Sequence, residues 1–118
     1  MTVGKQHEKP VYVRLREAIV DGILTGRYQD GAPLPSVRAF AAEESANPLT
    51  VAKAYQGLQT EGLIVVRRGV GLFVVEGARA RLRNSERQQF LTEEWPAIRE
   101  RMERLGIEPD ELLQRQPA

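Results

Sequence analysis

SVRAFAAEESANPLTVAKAYQGLQTEG, residues 36–62, is the stretch of sequence that decides the fold. Ser36 predicts the start of a helix, because its hydroxyl can accept a hydrogen bond from a free amide of the first turn. Asn47 predicts a second start, and Pro48 suits the first position of that helix, where a missing amide hydrogen costs nothing. The stretch therefore predicts two short helices that meet at a tight turn around Ser45 and Ala46.

The helix predicted after Asn47 has an apolar face that can pack in a core and an opposite face, its free side, that can remain exposed. Its apolar residues recur at the spacing of a single helix face, and they are Val51, Ala54, Tyr55 and Leu58. The opposite side carries Leu49, Lys53, Gln56 and Thr60. That side is available to solvent or to a binding partner.

The segments that flank this pair supply another helix and a hairpin. Apolar residues at helical spacing predict a helix from Val11 to about Thr25, and Gly26 suits its left-handed C-terminal cap. Beyond Gly62, apolar and β-branched runs at 63–67 and 72–75 enclose a glycine-rich turn, which predicts a β-hairpin. The expected fold class is therefore α+β, mainly α with a small β-hairpin, in the order of a winged helix-turn-helix.

The chain after the hairpin shows only helical patterning. We expect a flexible tail at residues 1–9, a winged helix-turn-helix at 10–77 and a helical C-terminal dimerisation region at 78–118. Pro96 makes the last region either one kinked helix or two helices divided near Thr92, and Pro109 predicts a final short helix. Apolar residues at the 4-and-3 spacing of paired helices form a seam there, and they are Leu91, Trp95, Ile98, Met102, Leu105 and Leu112.

Composition narrows the classes of function. The 118 residues carry a net charge of +1, no cysteine and one histidine, His7, in the predicted tail. No catalytic triad or metal cluster can be assembled from this set, so we expect neither an enzyme nor a cofactor. Without a long apolar window or an apolar leader, we expect a cytoplasmic protein with no membrane partner. Phosphate binding would require the basic residues to be segregated on one face.

Motifs between residues 10 and 75 resemble those of the GntR family of bacterial regulators. Pro10 and Tyr12 stand where members open their first helix, and residues 34–38, LPSVR, look like the family's Leu-Pro-Ser-x-Arg. Residues 47–55, NPLTVAKAY, are similar to the recognition helix, particularly in the YtrA subfamily, and residues 61–64, EGLI, and 68–74, RGVGLFV, look like the hairpin and wing. The short region after Gly77 favours that subfamily, because other members carry a larger domain there.

The chain departs from the family pattern at three positions. Ala52 stands where several subfamilies carry an arginine that reads bases. Leu72 replaces a usual threonine of the wing, and Ala46 replaces a common valine. Because of Ala52, the set of base-reading residues in this chain differs from the set in those subfamilies.

The resemblance implies a homodimeric repressor that binds double-stranded operator DNA. The genes of YtrA-type proteins commonly lie beside transporter operons that these proteins repress. In such a motif the start of the recognition helix, here the helix predicted after Asn47, enters the major groove. An arginine of the wing can enter the minor groove. Ser36 and Arg38 would face a phosphate. The expected DNA-binding residues are Ser36, Arg38, Asn47, Leu49, Thr50, Lys53, Gln56, Arg67, Arg68 and Gly69. The sequence identifies no small-molecule effector.

Other interpretations of these features stay open. The winged helix could be a protein-interaction module, for which an apolar patch on the free helix side would be expected. Arg67 and Arg68 could be edge charges that hinder aggregation, and Arg38 could pair with Glu43 or Glu44. The apolar seam could pack on the winged helix of its own subunit. Three further arginines would ordinarily form a solvated helix face and are minor DNA candidates: Arg79, Arg81 and Arg83.

Overall fold

The structure of this chain, a computed structural model, describes residues 9–115. The described residues form two compact units that divide between Arg83 and Asn84. The predicted tail at residues 1–9, with His7, lies outside the described residues except for Lys9. The ammonium of Lys9 contacts the carboxylate of Glu17 at 2.8 Å.

The first unit contains three helices at the positions that the sequence predicts: α1 (Val11–Thr25), α2 (Val37–Glu44) and α3 (Pro48–Thr60). Gly26 ends α1 with a left-handed φ of 87°. The hydroxyl of Ser36 accepts a 3.1 Å hydrogen bond from the amide of Ala39, and Asn47 Oδ1 accepts one of 2.8 Å from the amide of Leu49. Side-chain capping by nearby residues therefore determines where α2 and α3 begin.

A two-stranded antiparallel hairpin follows α3, with strands β1 (Ile64–Arg67) and β2 (Gly71–Val74). The amide of Val70 donates to the carbonyl of Arg67 at 2.9 Å and closes the turn, in which Gly69 has a φ of 77°. Glycine adopts this left-handed conformation without steric cost. The fold class predicted from sequence, helix-rich with a small hairpin, is confirmed.

The loop before α2 is more ordered than its glycine and prolines indicate, because it runs beside β2. The amide of Leu34 donates to the carbonyl of Leu72, and that of Gly31 donates to the carbonyl of Val74, both at 2.8 Å. These bonds join the loop to one edge of the hairpin. They also position the residues that lead into α2.

The core of the first unit lies between the three helices and the hairpin. Its largest fully buried side chains are Tyr55, Phe40, Ile19, Ile23, Leu58, Val51 and Val74. Gly22 belongs to the same region, because a Cβ at this position would lie 2.4 Å from Cδ2 of Tyr28. A glycine in the middle of α1 is therefore explained by the close approach of the Tyr28 ring.

Helix α4 (Ala78–Gln89) begins in the first unit, because Ala78 and Leu82 are buried in its core. The first unit therefore extends beyond the boundary expected at Gly77 and Ala78. The carboxylate of Asp30 accepts hydrogen bonds from the amides of Gly77, at 2.9 Å, and Arg79, at 3.3 Å. These contacts hold the start of α4 against the winged-helix unit.

The helical backbone continues through a π-helical turn (Phe90–Glu94) into α5 (Trp95–Leu105), and α6 (Pro109–Gln114) follows. In the π turn the amide of Trp95 donates to the carbonyl of Phe90. Pro96 cannot donate a hydrogen bond and crowds the preceding turn of a regular α-helix, and the wider turn lies directly before it. The region is thus one interrupted helix followed by the predicted short helix.

The predicted seam of the second unit is mostly exposed. Met102 is the exception, since it is only 6% exposed. Trp95 is half-buried, and the exposed members of the seam are Leu91, Ile98, Leu105 and Leu112. Among the described residues, no helix combines the length and the apolar character needed to cross a bilayer.

Candidate nucleic-acid interface

The start of α2 presents Ser36 and Arg38 to solvent. The phenol of Tyr55 donates a 2.9 Å hydrogen bond to the carbonyl of Pro35 and ties this start to α3. Burial raises the pKa of Tyr55 far above its ordinary value, which keeps the phenol a neutral donor. The position of Ser36 relative to α3 is therefore set by a core tyrosine.

The free side of α3 is exposed along most of its length. Lys53 and Gln56 are exposed, whereas Thr50 is half-buried at the edge of the face. Leu49 is 80% exposed, which makes it the most exposed large apolar side chain between residues 9 and 83. Asn47 is exposed as well, but its Oδ1 already serves as the helix cap. The amide group of Asn47 still has its NH₂ donors available.

Lys53 contacts an aromatic ring with which no pattern in the sequence associates it. Its ammonium lies 4.0 Å from the centroid of the Tyr12 ring, at the start of α1. A cation over the face of a phenol ring is attracted by the negative charge density of that face. Tyr12 is thus a candidate site residue that sequence reasoning missed, because the two residues lie far apart in the chain.

The wing carries two arginines in different environments. The guanidinium of Arg67 lies 4.7 Å from the centroid of the Phe73 ring, on the neighbouring strand. Gly71 pairs with Arg67 across the hairpin and has no side chain in the way. Arg68 lies at the exposed turn next to Gly69. The alternative that both arginines serve only as edge charges does not account for the stacking of Arg67 on Phe73.

A groove of about 500 Å³ separates α3 from the wing. Ala52 and Tyr55 line it from α3, and Val66 and Leu72 line it from the hairpin. Val37, which lies between Ser36 and Arg38, also lines it. The start of α2, the part of α3 that carries Ala52 and Tyr55, and the wing are therefore neighbours around one groove.

Two carboxylates of this region are paired with arginines outside the predicted DNA-binding set. Glu43 contacts Arg27 at 3.3 Å, and Glu61 contacts Arg16 at 2.5 Å. Among residues 9–115, Arg38 has no ion pair, so the alternative that it pairs with Glu43 or Glu44 is not observed. Basic side chains without a carboxylate partner in this part of the chain include Arg38, Lys53 and Arg68.

The α4 arginines are exposed, as the interpretation of a solvated face expects, but two of them also bond backbone carbonyls. Arg79 Nε donates to the carbonyl of Leu24 at 3.1 Å, near the end of α1. Arg81 donates to the carbonyls of Gly62, at 3.0 Å, and Glu61, at 2.9 Å, at the end of α3. Carbonyls at helix ends lack partners within the helix, and arginine side chains satisfy them. These two arginines hold the fold together.

The groups that this surface presents are those of an exposed helix and a wing. In the described part of the chain, no group of three or more metal-ligating side chains comes together. The buried side chains there are hydrophobic, with no buried charged or polar residue. The chemistry available consists of hydrogen-bond donors, positive charges and apolar contacts at an exposed helix and wing.

Comparison with known proteins agrees with this geometry. The model of the family "Bacterial regulatory proteins, gntR family" matches residues 11–74. The HTH-type transcriptional repressor YtrA of Bacillus subtilis is 40% identical over 80 residues, which cover 68% of this chain and 62% of YtrA. The matching family and this relative are transcriptional regulators, not enzymes.

Two solved structures extend the comparison. A GntR family transcriptional regulator from Listeria monocytogenes is similar with a TM-score of 0.74 and 32% identity, covering 90% of this chain and 91% of that one. The DNA-binding domain of AraR in complex with operator ORR3 has a TM-score of 0.54 and 26% identity, covering 56% of this chain and 80% of that one. The GntR resemblance seen in the sequence is thus confirmed, and the chain belongs to the gntR family of bacterial transcriptional regulators.

Proposed function

We propose that this chain is a sequence-specific repressor that binds a two-fold DNA operator as a homodimer. The observation that carries the proposal is the free side of α3, which is exposed and lies beside basic side chains that have no carboxylate partner. Because DNA is a dense polyanion, unpaired lysine and arginine on one face supply affinity, and the helix supplies base contacts.

Each part of the interface has its own task in the proposed complex. The start of α3 enters the major groove, where Asn47 and Gln56 offer hydrogen bonds to base edges. Arg68 enters the minor groove from the wing, whose tip at Gly69 has no side chain to keep the backbone away. The groove between α3 and the wing then accommodates the sugar-phosphate strand that separates the two DNA grooves. Ser36 and Arg38 hold a phosphate at the start of α2.

The second unit supplies the proposed dimer contact. Leu91, Ile98 and Leu105 are exposed at the spacing of a helix seam. A face of this kind is stabilised when a second copy covers it, since each buried apolar side chain contributes about 1.5–3 kcal/mol. Two winged helices joined in this way contact two half-sites about 34 Å apart or a multiple of that distance.

Repression follows from occupancy of the operator, which keeps polymerase from the promoter. YtrA of Bacillus subtilis is a repressor by its name, and the same role is proposed for this chain. Its place of action is the cytoplasm, and its regulated genes are a neighbouring operon, a transporter operon by the resemblance to the YtrA subfamily. No cofactor takes part in this proposal.

A salt-series binding assay tests the proposal. DNA is first selected from a random library by the wild-type chain, and its affinity is then measured by fluorescence anisotropy at several salt concentrations. Arg38→Ala, Lys53→Ala and Arg68→Ala should each reduce the slope of log affinity against log salt by about one. Arg99→Ala is the matched control, because Arg99 is exposed in the second unit and contacts Glu103 at 3.9 Å. Failure to select any DNA, or unchanged slopes in all three variants, would contradict the proposal.

A further inference from the structure

We propose that Leu49 reads the 5-methyl group of a thymine in each operator half-site. This inference rests on the proposed function and adds a preference for one base to it. Leu49 is 80% exposed at the second position of α3. The first residues of a recognition helix are the ones that reach base edges. A large apolar side chain thus stands where polar readers are expected.

The position of Leu49 is fixed by its backbone. Its amide donates a 2.8 Å hydrogen bond to Asn47 Oδ1, and Pro48 occupies the first helical position with a restricted φ. The Cα of Leu49 is therefore held, and only its side-chain torsions are free. A side chain on a held backbone loses little further entropy when it meets a base, which favours a specific contact.

The surroundings of Leu49 favour a methyl group over a protein partner. Its neighbours along the free side of α3 are Lys53 and Gln56, which are polar and exposed. Contiguous apolar patches mark protein-docking surfaces, and one leucine among polar side chains does not form such a patch. In the major groove, the methyl of thymine is the one apolar group that the base edges present. One isolated apolar side chain matches one isolated methyl.

Deoxyuridine, which is thymine without the methyl group, provides the test. Each thymine of the DNA selected by the wild-type chain is replaced in turn by deoxyuridine, and affinity is measured by fluorescence anisotropy. Loss of one buried methyl should lower the wild-type affinity about fourfold at a single position of each half-site. Leu49→Ala should bind the thymine and deoxyuridine duplexes equally at that position. Leu49 is exposed, so this variant should unfold at the same temperature as the wild type.

Leu113→Ala is the matched control, because Leu113 is 82% exposed but lies in α6. This control should keep the wild-type ratio of thymine to deoxyuridine affinity. If no thymine shows a methyl effect in the wild type, or if Leu49→Ala keeps the effect, the inference is overturned while the proposed function stands. If the wild-type chain selects no DNA, the proposed function fails and the inference fails with it.

Discussion

Arg81 donates a 2.9 Å hydrogen bond to the carbonyl of Glu61, the residue that caps the C-terminal end of α3. A second bond from the same guanidinium reaches the carbonyl of Gly62 at 3.0 Å. The helix that carries the candidate base-reading residues is thus closed by a side chain from α4. Integrity of the interface therefore depends on a residue outside it.

Removal of this contact should destabilise the winged-helix unit. Arg81→Ala leaves two carbonyls at the end of α3 to water, and we expect the free energy of unfolding to fall by about 1 kcal/mol. Chemical denaturation followed by circular dichroism measures the change. Arg83→Ala is the control, since Arg83 is exposed on the same helix, and its stability should stay within about 0.5 kcal/mol of the wild type. Equal losses in the two variants would contradict the capping role.

Two helical glycines should respond in opposite ways to alanine. Gly22→Ala places a Cβ against the Tyr28 ring, so the unfolding free energy should fall by about 1–3 kcal/mol. At Gly57 an added Cβ meets nothing within 4 Å, so Gly57→Ala should raise it by about 0.5–1 kcal/mol through helix propensity. Thermal unfolding of the two variants gives the comparison. A lower melting temperature for Gly57→Ala than for the wild type would contradict the expected gain in stability.

Asn47 combines a capping role with a proposed DNA role, and two substitutions separate them. Asn47→Asp keeps a cap acceptor and should keep stability, but its negative charge should weaken DNA binding at low salt. Asn47→Ala should lower the unfolding free energy by about 1 kcal/mol as well as the DNA affinity. Denaturation and anisotropy are measured on the same samples. Wild-type DNA affinity in Asn47→Asp would exclude Asn47 from the interface.

Tyr12 should position Lys53 for a phosphate through its ring. Tyr12→Phe keeps the ring and should bind DNA within twofold of the wild type, whereas Tyr12→Leu should lose up to about threefold, because the roughly 0.5–1 kcal/mol of an exposed cation–π contact is the upper limit of what positioning the lysine contributes. In a Lys53→Met background, Tyr12→Leu should have no further effect on affinity. Additive losses in this double-mutant cycle would show that the two side chains act independently.

The exposed seam of the second unit should hold the dimer. Ile98→Asp places a charge at the centre of the seam, where burial against a second copy would be costly. Sedimentation velocity should show monomers for this variant and dimers for the wild type. The control Arg101→Ala changes an exposed residue of the same helix and should leave the dimer intact. Dimers in Ile98→Asp would place the pairing surface elsewhere.

Much of the fold could be predicted because its signals are local. The starts of α2 and α3 depend on Ser36 and Asn47, whose side chains bond amides within the next few residues. The end of α1 depends on Gly26, for which a left-handed φ has no steric cost. The order of these elements, together with the hairpin, was sufficient to predict the winged helix-turn-helix.

The candidate site could be predicted as a set of exposed residues, but their partners could not. Periodicity identified the free side of α3, because one helix face repeats every 3.6 residues. It could not show that the Arg67 guanidinium lies over the Phe73 ring, or that Arg38 has no carboxylate partner among residues 9–115. Both observations depend on how the helices and strands pack against one another in three dimensions.

The amino-acid sequence by itself determined where the helices begin, which side of α3 is buried and which family the motifs resemble, since each depends on neighbours along the chain. Only the tertiary structure decided that Lys53 lies over Tyr12 and that Arg81 closes α3. The physical reason is that cation–π contacts and capping bonds act over a few ångströms in space. No spacing in sequence encodes which distant residues the packed core brings within that range.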